Sequence, residues 1–82
     1  MAVIIVERTF DNPPTDAEMH EVAERERPCK EMYGVTWIRS LLSSDRRRMI
    51  CEYDAPDAQA VRKVQQEAGA PFDQVWPAKV ID

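Results

Sequence analysis

Two short clusters cut this chain in the same manner and leave little freedom in what it can fold into. Asp11-Asn12-Pro13-Pro14 ends a run of β-branched residues, and Ala55-Pro56-Asp57 ends another strand-like run. Proline offers no backbone donor and fixes φ, so neither helix nor central strand passes through such clusters. Each is followed by a helix signal. Thr15 with Glu18 three residues on forms a capping box, in which each side chain satisfies an orphan backbone donor of the other's residue, and Met19, Val22 and Ala23 then mark an apolar stripe. The spacing predicts a first helix from Asp16 to Arg27, with Pro28 discouraging continuation and Gly34 supplying a flexible turn. Asp57 is an N-cap for a second helix over Ala58 to Ala68, which Gly69 closes as a C′ residue.

The segments between these helices read as strands: Val3 to Phe10, Val35 to Ser43, Arg48 to Asp54, and Gln74 to Val80, with Ser44 to Arg47 as a polar hairpin connection. Pro77 cannot donate to a ladder, which assigns the last strand to a sheet edge. The order is βαββαβ. It predicts an α+β, ferredoxin-like sandwich in which a four-stranded antiparallel sheet carries both helices on one face. With 82 residues there is surface enough to bury one core, so residues 1–82 are expected to form a single ferredoxin-like domain.

Composition narrows the function. At 44% hydrophobic with 2 glycines, the chain suits an ordered fold despite 32% charged residues. Eleven basic against fifteen acidic residues give a net charge of -4, which offers nothing toward neutralising phosphates, so no nucleic-acid partner is expected. No run approaches the roughly 18 apolar residues of a spanning helix, and Glu7 and Arg8 follow Val3 to Val6 too soon for a signal peptide. The expected setting is cytoplasmic, with no membrane partner. Cys29 and Cys51 have no second pair for a zinc site and read as free thiols, Cys51 as a small buried hydrophobe or a reactive thiol.

If the hairpin closes symmetrically around Asp45 and Arg46, Leu42 faces Met49, Ser40 faces Cys51, and Ile38 faces Tyr53. That face is expected to pack beneath Met19, Val22, Ala23, Val61, Val64 and Ala68. The other then holds Trp37, Arg39, Leu41, Ile50 and Glu52, with Glu7 or Arg8 nearby, a mixture too apolar for water and too polar for a plain core. Pairing of two sheets face to face meets both conditions. Glu7, Arg39 and Glu52 read either as carboxylates around a guanidinium that orient a ligand or as a structural ion pair. Trp37 reads as a stacking surface or an interface anchor. His20, with Asp16 and Glu24 four residues to either side, has metal-compatible spacing and is otherwise a solvated surface residue. Arg46, Arg47 and Arg48 form the basic run of a turn, without the glycines of a phosphate loop.

Val6-Glu7-Arg8-Thr9-Phe10, Val35-Thr36-Trp37-Ile38-Arg39-Ser40, Cys51-Glu52-Tyr53-Asp54-Ala55-Pro56 with Ala60-Val61-Arg62, and Ala68-Gly69 with Pro71 together resemble a bacterial family of ferredoxin-like domains of about this length. The family, long of unknown function, includes a nickel-binding protein. The resemblance spans nearly the whole chain and implies the ferredoxin-like fold and a homodimer, a dimeric α/β barrel. For the nickel-binding branch it implies a histidine-supplied site on the first two strands, where this chain has Glu7, Thr36 and Arg39. With one histidine in the sequence, that multi-histidine site is not carried over, and nickel is left to His20 with carboxylates or to a dimer interface.

The sequence thus predicts a small cytoplasmic homodimeric binding protein for a metal ion, nickel included, or a small ligand. Glu7, Trp37, Arg39, Cys51, Glu52 and Tyr53 are the ligand-binding candidates and His20 the metal candidate. The alternative is a cofactor-free enzyme of the monooxygenase or isomerase type, as the dimeric ferredoxin-like barrels include, using Glu7, Glu52 or Cys51. A third reading is an interaction module without a ligand.

Overall fold

The computed structural model describes residues 1–81, and its element order is the expected βαββαβ. Strand β1 spans Ala2–Thr9, helix α1 Asp16–Tyr33, β2 Thr36–Leu42, β3 Arg48–Ala55, α2 Ala58–Ala68 and β4 Gln74–Ala78. The four strands form one antiparallel sheet in the order β2-β3-β1-β4, which puts β4 and its Pro77 at an edge. None of the described helices is long and apolar enough to cross a membrane.

Both helix starts follow from their caps. Thr15 Oγ1 accepts from Glu18 N at 3.1 Å while Glu18 Oε1 accepts from Thr15 N at 2.9 Å, and Asp57 Oδ1 accepts from Ala60 N at 2.9 Å. Both helices end on a left-handed glycine, Gly34 at φ 67° and Gly69 at φ 68°. The first helix, however, runs six residues beyond the predicted Arg27. Pro28 removes only its own bond to Glu24, on an exposed side of the helix where water takes the freed carbonyl. The extra turn and a half is anchored by Cys29 and Tyr33, which pack against the core, and by Lys63, whose ammonium lies 5.9 Å over the Tyr33 ring.

The core lies between the sheet and α2. Ile4, Val6, Val61 and Val64 are fully buried, with Cys51, Tyr53, Ala55 and Val75 around them. Each large aliphatic side chain so buried contributes about 1.5–3 kcal/mol. The stripe on α2 behaves as predicted, whereas that on α1 does not. Met19 and Val22 are only half-buried, Ala23 is exposed, and the one fully buried residue of α1 is Glu26. Helix α1 leans on α2, where Arg25 Nε donates to the terminal carbonyl of Ala68 at 2.8 Å, and leaves a gap over β2 and β3.

The hairpin keeps the predicted register from Leu42↔Met49 to Arg39↔Glu52, and Ser43 N donates to Arg48 O at 2.8 Å. The expected Ile38↔Tyr53 pair is replaced by Trp37↔Tyr53, because a bulge between Trp37 and Arg39 inserts one extra residue. One residue of slip reverses the faces. Trp37 therefore joins Ser40, Cys51 and Tyr53 on the helix side, contrary to the sequence reading, and Ile38 is left 46% exposed. The arginine run ties the turn to the entry of α1: Arg46 donates to Pro14 O and Asp16 Oδ1, and Arg47 to Asp11 O.

Candidate functional site

Alternation along the strands gives the two faces distinct chemistry. On the helix side, Arg8 follows Ile4 and Val6 on β1 and stands opposite Met49, next to Cys51 and Tyr53 on β3. On the open side, Ile5, Glu7, Ile50, Glu52, Arg39, Leu41 and Trp76 share a surface. The six predicted ligand-binding residues are thus divided by the sheet: Trp37, Cys51 and Tyr53 lie under α1, while Glu7, Arg39 and Glu52 lie on the opposite face. One site cannot use all six.

The gap between α1 and the sheet is a cleft of about 450 Å³. Its walls are apolar, with Phe10 and Trp37 beside Met19, Val22 and Met49. Trp37 is pinned by its indole, which donates to Ser40 Oγ at 3.0 Å, and Ser40 Oγ donates in turn to Cys51 Sγ at 3.0 Å. The floor is charged. Arg8 is 5% exposed and Glu26 7%, and neither sits in an ordinary ion pair. They communicate through neutral groups instead. Arg8 Nη2 donates to Gln65 Oε1 at 2.7 Å and Tyr53 Oη at 3.3 Å, while Tyr53 Oη and Gln65 Nε2 donate to Glu26 Oε1 at 2.9 and 3.0 Å. Arg8 Nη1 also donates to Pro71 O at 2.9 Å.

Electrostatics hold two members of this network, Arg8 and Tyr53, in their protonated forms. Burial works against the Arg8 charge, but the field of Cys51, Tyr53 and Glu26 outweighs it and leaves the guanidinium pKa above its ordinary value. Burial, followed by the nearby Glu26 carboxylate, pushes the Tyr53 phenol well above the usual range, so it stays a donor. Glu26 uses Oε1 for both bonds, and Oε2 receives no protein donor. Among the described residues no fully buried side-chain oxygen lacks a partner, so Oε2 is the part of Glu26 that opens to the cleft.

The open face arranges its charges differently. Arg39 Nε donates to Glu52 Oε1 at 3.1 Å across the strands, and the Trp76 indole donates to Glu7 Oε2 at 2.7 Å. Glu7 pairs in register with Ile50 and lies diagonal to Glu52, so the two carboxylates and the guanidinium do not converge on one point. A depression of similar volume, lined by Glu7, Leu41, Arg48 and Asp73, also reaches Arg8 but not Glu26 or Tyr53.

The donor set does not fit a nickel centre. His20 is 76% exposed, its Nε2 lies 3.8 Å from Glu24 Oε1, and Asp16 is taken up by Arg46. No three histidine, cysteine, aspartate or glutamate side chains cluster as a metal site among the described residues.

Arg8, Glu26 and Gln65 are functional candidates that the sequence reading did not select: it sets Glu26 with Glu21, Glu24, Arg25 and Arg27 on an exposed, ion-paired face and Arg8 near the open face, whereas both are buried. A signal was present: Glu26 continues the stripe of Met19, Val22 and Ala23, and Gln65 lies within that of Val61, Val64 and Ala68. A charged or amide residue on a core-facing stripe marks a buried polar group that must find partners.

A family model described as nickel responsive protein SCO4226-like matches residues 5–77. Among solved structures, the crystal structure of SCO4226 from Streptomyces coelicolor A3(2) superposes with a TM-score of 0.86 at 16% sequence identity. It covers 99% of this chain and 100% of that one, a likeness of fold. No curated protein matches.

Proposed function

The chain belongs to the SCO4226-like family of nickel-responsive proteins, and from that premise we propose that it is a cytoplasmic binding protein whose site is the cleft under α1, with a small organic molecule as its ligand. The observation that carries this reading is the floor of the cleft. A guanidinium and a carboxylate, both more than nine-tenths buried, are held apart by Tyr53 and Gln65 and leave Glu26 Oε2 facing a space walled by Trp37, Met19 and Val22. Burying two charges costs several kcal/mol each, of the order of what such a chain has to spare, and a role in recognition accounts for keeping them. An apolar wall with a few fixed polar groups is the usual make-up of a small-molecule site. The free thiols Cys29 and Cys51 fit a reducing compartment.

In the same reading two copies pair through their open sheet faces. Leu41 is 54% exposed and Trp76 40%, and the acids Glu7 and Glu52 share the surface with Arg39, so the face is complementary to itself under two-fold symmetry. Any response of this chain to nickel then runs by a route other than a centre built on its single histidine.

Native mass spectrometry of protein purified without an affinity tag tests both parts. The expected spectrum is a dimer with an organic mass on each subunit, and Ala23→Trp, which fills the cleft from an exposed helix position, removes that mass. A monomer overturns the pairing. A subunit without organic mass, or a mass retained by Ala23→Trp, overturns the cleft.

A further inference from the structure

Glu26 and Lys30 are one turn apart on α1, in the order that favours an i,i+4 ion pair on a helix. They form none: Glu26 is turned down into the floor network, and no ion pair or side-chain hydrogen bond engages Lys30 Nζ among the described residues. Both line the cleft. The wall of one apolar cavity therefore presents a free carboxylate oxygen and a free ammonium at points separated by four residues, about 6 Å of helix rise.

Resting on the reading of the cleft as the ligand site, we infer that the ligand is a small zwitterion of the α-amino acid class with an apolar side chain. Its ammonium donates to Glu26 Oε2 and its carboxylate accepts from Lys30 Nζ. The two charged groups of an α-amino acid share one carbon, so a single molecule spans one helical turn while its side chain meets Trp37, Met19 and Val22. A lone cation would satisfy Glu26 and be repelled by Lys30, and a lone anion would meet the reverse. Only a ligand with both charges completes both residues. Charge-assisted bonds of this kind outweigh neutral ones, so each is expected to change affinity by roughly tenfold or more.

The test uses the 82-residue chain and three probes: L-phenylalanine, 2-phenylethylamine, which lacks the carboxylate, and 3-phenylpropanoate, which lacks the amine. The readout is the pair of indole ¹⁵N–¹H signals, since the chain has 2 tryptophans, Trp37 in the cleft and Trp76 on the other face. L-Phenylalanine is expected to shift Trp37 and leave Trp76 in place, with each truncated probe at least tenfold weaker. Glu26→Gln reduces L-phenylalanine to the affinity of 3-phenylpropanoate. Lys30→Met, a half-buried position that holds nothing together, reduces it to that of 2-phenylethylamine and keeps the test decisive if Glu26→Gln fails to fold. Truncated probes that match L-phenylalanine, or Lys30→Met without effect, overturn the inference and leave the cleft standing. If no probe moves Trp37, the inference falls; the native spectrum then decides whether the cleft falls with it, by whether the organic mass is present.

Discussion

Replacing Arg8 by methionine is the sharpest probe of the buried network. Methionine keeps the apolar stem of the side chain and ends where the guanidinium begins, so the loss is confined to the guanidinium. Three bonds go with it, to Gln65 Oε1, Tyr53 Oη and Pro71 O, and the Glu26 carboxylate remains in the interior without a compensating charge. Removing one partner of a buried charge pair costs about 3–5 kcal/mol. A chain of this size has roughly 4–12 kcal/mol in total, so Arg8→Met is expected to lower the melting temperature by on the order of 20 °C. Glu26→Gln alone retains an oxygen for Tyr53 and is expected to cost about 1–2 kcal/mol. In the Arg8→Met background the same change relieves an unpaired charge, and the double variant should be more stable than Arg8→Met by about 1–3 kcal/mol. Urea unfolding at constant m-value measures all four corners of the cycle. A loss below about 1 kcal/mol for Arg8→Met, or a second substitution that simply adds its own cost, would refute the coupling of these two charges through Tyr53 and Gln65.

Three further predictions concern separate parts of the molecule. The folded Tyr53 phenol titrates above its unfolded counterpart, so its stabilisation is complete below the unfolded value near pH 10 and is lost as pH rises toward the folded one. Stability should therefore fall by up to about 1.4 kcal/mol per pH unit in that window, and Tyr53→Phe should remove that part of the slope in pH-dependent urea melts. Gly34→Ala should cost about 1 kcal/mol, because φ is 67° there while the new Cβ would meet nothing nearer than Pro56 Cγ at 4.0 Å; a cost of zero would contradict the cap geometry. In the proposed pairing through the open face, Leu41→Glu sets like charges against each other and should yield a monomer in sedimentation equilibrium, whereas a dimer that survives it would overturn that pairing.

The order of elements and both N-caps were legible because they depend on local chemistry: Thr15 with Glu18, Asp57, Gly69 and the proline clusters act within a few residues. The second helix was read to its exact limits for that reason. The first was read short, since a proline on a water-facing side of a helix costs one bond, whereas the packing of Cys29 and Tyr33 that offsets it is tertiary. The hairpin register was recovered as far as Arg39. Beyond it, no residue type marked the bulge at Ile38, and that one extra residue carried Trp37 to the other face. Cys51 and Tyr53 already stood apart from Glu7, Arg39 and Glu52 in the expected register, and the bulge moved Trp37 to join them. Alternation on the first strand was also ambiguous, because Val3 and Ile5 are as apolar as Ile4 and Val6, so the burial of Arg8 depended on which set faced the helices. Glu26 was read with its charged neighbours as an exposed face, although it and Gln65 both stand at core-facing positions of their helices, where a polar group must find buried partners.

As proposed, the cleft under α1 holds an organic ligand, and its occupancy does not depend on coordinated nickel. The most direct measurement is the unfolding midpoint of the purified protein before and after its small molecules are stripped by unfolding, desalting and refolding. Ligand at about a hundred times its dissociation constant stabilises a protein by about 2.7 kcal/mol. Stripping is expected to lower the midpoint, the desalted small-molecule fraction to restore it where nickel chloride does not, and Ala23→Trp to show neither effect. Restoration by nickel chloride alone, or an equal response from Ala23→Trp, would contradict it.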